Sequence, residues 1–213
     1  MTILPYECAD CMCNSSDLMP DEAEIILSDN TIIYTINPYY HFGSKTETGK
    51  AFDGDIVSID LVALKNGFNG DAARTYLVGN VSKDAKRLVE VTKQAFFEGI
   101  KYAKKGNRIG DISHAIGEYV KSQGYSVVRE FEGHGIGRNM HEEPGVPNFG
   151  KPGRGQRLEK GMTLAVEPMI NAGDYEIDIL DDGWTVVTSD GSLSAHYENT
   201  IVITDKGAEI LTI

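Results

Sequence analysis

The sequence predicts an α+β fold on three observations. An Asn-Gly pair, Asn66-Gly67, separates two strand-like runs. Two amphipathic helical patterns follow, and β-rich segments return after them without an alternating βαβ rhythm. Strands therefore surround a central pair of helices.

Taken in order, residues 1–30 carry little periodicity and read as a divergent N-terminal segment ahead of one domain over 31–213. "TIIYTI" (31–36) is β-branched and aromatic, hence a strand, stopped by Asn37-Pro38. Residues 41–54 read as loop. "DIVSIDLVAL" and "FNGDAARTYLVG" flank Lys65-Asn66-Gly67, and Asn-Gly is the favoured two-residue hairpin turn. That turn puts Asp60 opposite Ala73 and points Asp71 to the same face, one diagonal away. Ser82 is a good N-cap for a first helix whose stripe is Leu88, Val91, Ala95, Phe96, Ile100 and Ala103, closed by Gly106. A second helix runs from about Asp111 to Gln123, with Ile112, Ile116, Tyr119 and Val120 inward and Gly124 as its stop. "YSVVRE" and "MTLAVEPMI" (162–170) read as strands, and "WTVVTSDGSLSAHYENTIVIT" as a second hairpin turning at Asp190-Gly191.

At 213 residues and 41% apolar composition, the chain is long enough for one domain with a sizeable core. A formal charge of −12 argues against wrapping nucleic acid or lying on an anionic membrane. No apolar run approaches the roughly 20 residues needed to span a bilayer. The start, "MTILPYECADCM", lacks the basic-then-apolar pattern of a signal peptide. Cys8, Cys11 and Cys13 are too few for a disulfide framework, and a structural zinc would need His41 or an acid as fourth ligand. They read as a reduced terminal segment. The expectation is a soluble, cytoplasmic protein.

The chemistry lies in misplaced polar residues. Asp60 sits inside the apolar run "IVSIDLVAL", Glu167 inside "TLAVEPMI" and Glu198 inside "AHYENTIVI", so three apolar strands each carry one isolated acid. A buried acid is costly unless partnered. "FEGHGIGRNMHEEPG" (131–145) adds His134 and His141 on what reads as a glycine loop, its glycines allowing sharp turns and close backbone approach. Four carboxylates (Asp60, Asp71, Glu167, Glu198) and one imidazole (His134) form the donor set of a dinuclear site. It suits two divalent metal ions, Co, Mn, Fe or Zn. Two such ions are equipment for hydrolysis.

"DGDIVSIDLVALKNGFNGDAARTYLVG", "GHGIGRNMHEEP", "LEKGMTLAVEPMI" and "DGWTVVTSDGSLSAHYENTIVITDKGAEILT" resemble type I methionine aminopeptidase, of the pita-bread metallopeptidase family. The similarity runs from Ile36 to the C-terminus in order and spacing. It implies the pita-bread fold, a curved antiparallel sheet packed on helices, and removal of N-terminal methionine from nascent polypeptides, with ribosome association in prospect and a monomeric state. It also implies Asp60, Asp71, His134, Glu167 and Glu198 as metal ligands, with Asp71 and Glu198 reaching both ions and Glu167 doubling as general base. His141 would contact substrate and stabilise the tetrahedral intermediate. Trp184 would border the methionine pocket, and Met140 would form an apolar wall where relatives commonly have phenylalanine.

Three departures stand out. The family's substrate-contacting histidine aligns with Phe42 in "NPYYHFG", with His41 one residue early; a one-residue bulge would let His41 serve, and otherwise the role is lost. Two other family histidines are Asn69 and Asn199, which can still hydrogen-bond around the metals and retune them. The front is short, so the pocket wall is open, rebuilt by the Cys-rich segment or completed by another chain. Two rival functions are a same-fold aminopeptidase of Xaa-Pro preference and a catalytically silent peptide- or ribosome-binding homologue.

Overall fold

The computed structural model describes residues 51–183 and 185–212, and the strand backbone of 3–5, 23–26 and 32–36. Strands β1 (Ile3–Pro5), β2 (Ala23–Ile26), β3 (Ile32–Ile36), β4 (Ile56–Lys65) and β5 (Phe68–Leu77) make a five-stranded antiparallel sheet in chain order. Asn66 and Gly67 take φ of 54° and 77°, the left-handed pair that a two-residue turn of this hand requires. The register pairs Asp60 with Ala73 and Val62 with Asp71, as the turn predicts.

Helix α1 (Lys83–Ile100) opens with the Ser82 hydroxyl accepting from the Ala85 N–H at 3.1 Å. It buries Leu88, Val91, Ala95 and Phe96 but ends at Ile100, short of the expected Gly106. From there Tyr102 and Ala103 donate to carbonyls three residues back, which tightens and closes the last turn. Helix α2 (Ile109–Ser122) starts before Asp111, because the Arg108 N–H donates to Asp111 Oδ2 at 2.8 Å and makes Asp111 part of the cap. Both helices pack into one cluster with Leu164, Ile170, Ile201 and Ile203 from the later strands. Each such buried side chain contributes about 1.5–3 kcal/mol.

The later strands are β6 (Ser126–Val127), β7 (Gly133–Gly135), β8 (Glu142–Val146), β9 (Thr163–Val166), β10 (Met169–Asn171), β11 (Ile177–Ile179), β12 (Val186–Thr188), β13 (Ser194–His196), β14 (Asn199–Thr204) and β15 (Gly207–Ile210). They form a sheet β15-β14-β9-β7-β8, a sheet β13-β10-β6 and a ribbon β11-β12. Three sequence expectations change here. Residues 162–170 are not one strand: β9 pairs with β14 and β10 with β13, with Glu167-Pro168 at the crossing. Pro168 has no N–H to continue a ladder, which marks the break. The Asp190-Gly191 turn does not make a hairpin of its flanks. β12 pairs with β11, and Asp190 Oδ2 instead accepts from the Asp174 N–H at 2.8 Å. "SAHYENTIVIT" is likewise two strands, parted at Tyr197-Glu198.

The candidate metal centre

Those two breaks build the site. Where the β9–β14 pair gives way to the β10–β13 pair, Glu167 and Glu198 occupy the two crossings, between strands rather than inside them as expected. A side chain at a crossing need not follow the up-down alternation of a ladder, so both acids turn to one point. The Asn148 amide secures the first crossing, donating to the Glu167 carbonyl at 3.0 Å. Arg74 secures the second: it donates to the carbonyls of Ala73 (2.7 Å) and Glu198, and to Asn199 Oδ1 at 2.6 Å, with its guanidinium 4.3 Å from the Tyr197 ring centre. Asn199 is thus a partner of Arg74. Asn69 ties the β4–β5 hairpin to the His134–His141 segment, its amide donating to the carbonyls of Gly137 (3.2 Å) and Arg138 (3.0 Å).

The β4–β5 hairpin brings the other two acids. Asp71 is held through its backbone, its N–H donating to Thr200 Oγ1 at 2.8 Å and its carbonyl accepting from Thr212 Oγ1 at 2.9 Å. Asp71 is 4% exposed and Glu198 1%. Burial first, then the charges of Asp60 and Glu167, push the Asp71 carboxyl up to about 9. Burial, then Glu167, Asp71 and Asp60, also raise Glu198 well above the usual carboxylate value. Crowded, desolvated acids of this kind are stable as anions only with a cation among them.

His134 arrives on β7, which is a short strand between β8 and β9 and not the expected loop. None of its flanking glycines has positive φ; they are needed for close approach, since a Cβ at Gly133 would lie 2.3 Å from the Ala165 carbonyl oxygen. His134 Nδ1 lies 2.8 Å from the Gly135 carbonyl, which can only accept, so Nδ1 carries a proton and in the neutral ring Nε2 keeps the lone pair. Nε2 stands 3.5 Å from Glu167 Oε1 and 3.8 Å from Asp71 Oδ2.

Donor atoms of Asp71, His134 and Glu198 lie within 4.8 Å of one another, as do those of Glu167, His196 and Glu198. Buried oxygens Asp60 Oδ1, Asp71 Oδ1 and Glu198 Oε1 have no hydrogen-bond partner. Unpaired anionic oxygens around a free imidazole lone pair are what a divalent cation requires, so the residues fit the group.

Sequence reading missed His196, 7% exposed, with Nε2 3.5 Å from Glu167 Oε2. Its signal was its place two residues before Glu198 in a β-rich run. Burial alone pulls the His196 imidazole down, but the contact with Glu167 and the charges of Asp60 and Glu167 outweigh it and leave the pKa raised.

A cavity of about 640 Å³ opens onto the cluster, lined by Asp60, His134, His141, Glu167, His196 and Met169, with Glu132, Glu142, Glu143, Phe131 and Val186 also on its wall. His141 keeps solvent access and packs edge-on against His134, ring centres 4.4 Å apart. Partial burial and the neighbouring His134 hold its pKa below the usual value. Met140, half-buried, is not among the described residues of that lining. His41, Phe42, Trp184, Cys8, Cys11 and Cys13 lie outside the described residues.

The sequence profile of metallopeptidase family M24 matches residues 27–205. The methionine aminopeptidase of Clostridium perfringens is 60% identical over 161 residues, 76% of this chain and 65% of its own length. The solved methionine aminopeptidase of Thermotoga maritima superposes with a TM-score of 0.76 at 48% identity, over 85% of this chain and 72% of that one. The prolidase of Pyrococcus horikoshii follows at TM-score 0.62 and 26% identity, over 86% of this chain and 47% of that one. The chain spans 64% to 73% of the length of the first curated relatives it matches. No described helix is long and apolar enough to cross a membrane. With its profile match over most of the sequence and its pita-bread neighbours, the chain belongs to metallopeptidase family M24.

Proposed function

We propose that this chain is a metal-dependent aminopeptidase that removes N-terminal methionine from nascent polypeptides. One observation carries the reading: four carboxyl groups and an imidazole converge, with Asp60, His134 and Glu167 lining the cavity and carboxyl oxygens of Asp60, Asp71 and Glu198 buried and unpaired. Asp60, Asp71, His134, Glu167 and Glu198 would hold two divalent ions, and Co, Mn, Fe or Zn suits this oxygen-rich set. When bound, such ions lower the pKa of a water and polarise a carbonyl.

The chain's own groups do the rest. An N-terminal ammonium is drawn into a cavity whose wall carries Glu132, Glu142 and Glu143. Glu167, at the cavity floor, takes the proton of the attacking water and returns it to the leaving amine. His141 donates a hydrogen bond to the substrate oxygen as charge develops there. Its lowered pKa leaves it a neutral N–H donor near pH 7. Trp184 would contact the methionine side chain, and His41 the substrate backbone.

The test is hydrolysis of Met-Ala-Ser, Leu-Ala-Ser and Ala-Pro-Ala after loading with Mn(II), Co(II) or Fe(II). The expected result is selective cleavage of the methionine peptide, reduced about 10²–10⁴-fold by Glu167→Ala. Preference for Ala-Pro-Ala would assign an Xaa-Pro enzyme instead. Metal uptake without turnover on any peptide would point to a binding protein.

A further inference from the structure

Glu167 stands between two imidazoles, with His134 Nε2 3.5 Å from Oε1 and His196 Nε2 3.5 Å from Oε2. The ligand set above uses the first and leaves the second without a role. The two rings differ in what their nitrogens can do. His134 donates through Nδ1 to the Gly135 carbonyl and so keeps Nε2 as a lone pair for a cation. His196 Nε2 is buried, makes no full hydrogen bond and faces an anionic oxygen, so it needs a proton there to be satisfied.

The backbone of His196 is fixed. Its N–H donates to Thr75 Oγ1 at 2.9 Å, and the Thr75 hydroxyl donates back to the His196 carbonyl at 2.8 Å. With the Thr75 proton so engaged, the Ser58 hydroxyl, 2.7 Å away, is the donor to Thr75. On its other side His196 pairs with Met169, two residues beyond Glu167. The ring is therefore carried by a rigid strand whose partner leads out of the Glu167 crossing.

We propose that His196 is a positioning residue for Glu167: its Nε2–H donates to Oε2 and leaves Oε1, on the His134 side, for the metal and the reaction. This rests on the metal-centre reading of Glu167 given above. Carboxylates at metal sites are held by such outer hydrogen bonds, and removing one typically costs about 10- to 100-fold in metal affinity or activity. At a strand crossing, where no ladder fixes the side chain, the second contact sets which oxygen faces the ions.

The experiment compares wild type, His196→Gln and His196→Leu by calorimetric titration with Co(II) and by the visible spectrum of the Co(II)-loaded proteins. His196→Leu should lose about 10- to 100-fold in affinity. His196→Gln, which restores an N–H donor, should recover most of that loss and keep the wild-type spectrum. Equal affinity in all three proteins would overturn the role. Loss in both variants with a changed spectrum in His196→Gln would also overturn it, by making His196 a ligand itself. Wild type that takes up no divalent ion would overturn the metal centre, and this role with it. If the leucine variant fails to fold, His196→Ala, which adds no volume, replaces it under the same criteria.

Discussion

The glycines on either side of His134 allow the sharpest test of how the site is assembled. Alanine at Gly135 would put its Cβ 2.3 Å from the Glu143 carbonyl oxygen and 2.8 Å from that of Glu142. Alanine at Gly133 would put it 2.3 Å from the Ala165 carbonyl oxygen. Comfortable separations begin near 3.5 Å, so β7 would have to move roughly 1 Å from β8 or β9. The opposing atoms are backbone and cannot rotate away. Overpacking of this kind costs up to about 3 kcal/mol, equivalent to roughly 6–12 °C in Tm for a chain of this length. Gly70→Ala is the control. It meets only the Thr212 methyl, at 3.2 Å, a far milder contact than a backbone oxygen at 2.3 Å. Urea denaturation of the metal-free proteins measures the difference, and Co(II) titration asks whether His134 has moved. Gly133→Ala and Gly135→Ala should each be far less stable than Gly70→Ala and bind metal more weakly. If both stay within about 1 kcal/mol of wild type, the close approach of these strands does not depend on the glycines and the reasoning fails.

Three further outcomes are expected. The folded pKa of Asp71, about 9, exceeds its unfolded value near 3.8, so its contribution to metal-free stability is complete below the lower value and fades toward the upper. The unfolding free energy of chelator-treated protein from urea denaturation should therefore fall between pH 5 and 8, with Asp71 alone contributing about 1.4 kcal/mol per pH unit, and a rise would contradict the crowded-acid account. Asp71→Asn should flatten that fall and stabilise the metal-free protein at pH 8 by at least about 1 kcal/mol, while ending stabilisation by added Mn(II); retained Mn(II) stabilisation would remove Asp71 from the ligand set. Arg74→Ala deletes three charged hydrogen bonds at the Glu198 crossing and should cost about 3 kcal/mol or more. Arg74→Lys should restore only part of this, because a point charge cannot reach three acceptors in a fork, and full rescue would show that charge alone matters there.

Local chemistry was legible in the sequence where short-range physics decides it. Asn66-Gly67 determines its turn through left-handed φ, and the turn determines that Asp60 and Asp71 share a face. Ser82 determines the start of α1, and an isolated acid in an apolar run marks Asp60, Glu167 and Glu198 as partnered. The family is legible in the order, spacing and content of the motifs. Tertiary structure decided what sequence spacing does not encode. Periodicity cannot say where one strand passes from one partner to another, so the sequence at Glu167-Pro168 and Tyr197-Glu198 is indistinguishable from continuous strand. For the same reason Asp190-Gly191 looked like a hairpin: a turn signal reports the reversal of the chain but not which strands then pair. Those crossings are what aim Glu167 and Glu198 at one point. They also deliver His196, whose closeness to Glu167 depends on a pairing across the sheet and on the clamp from Thr75.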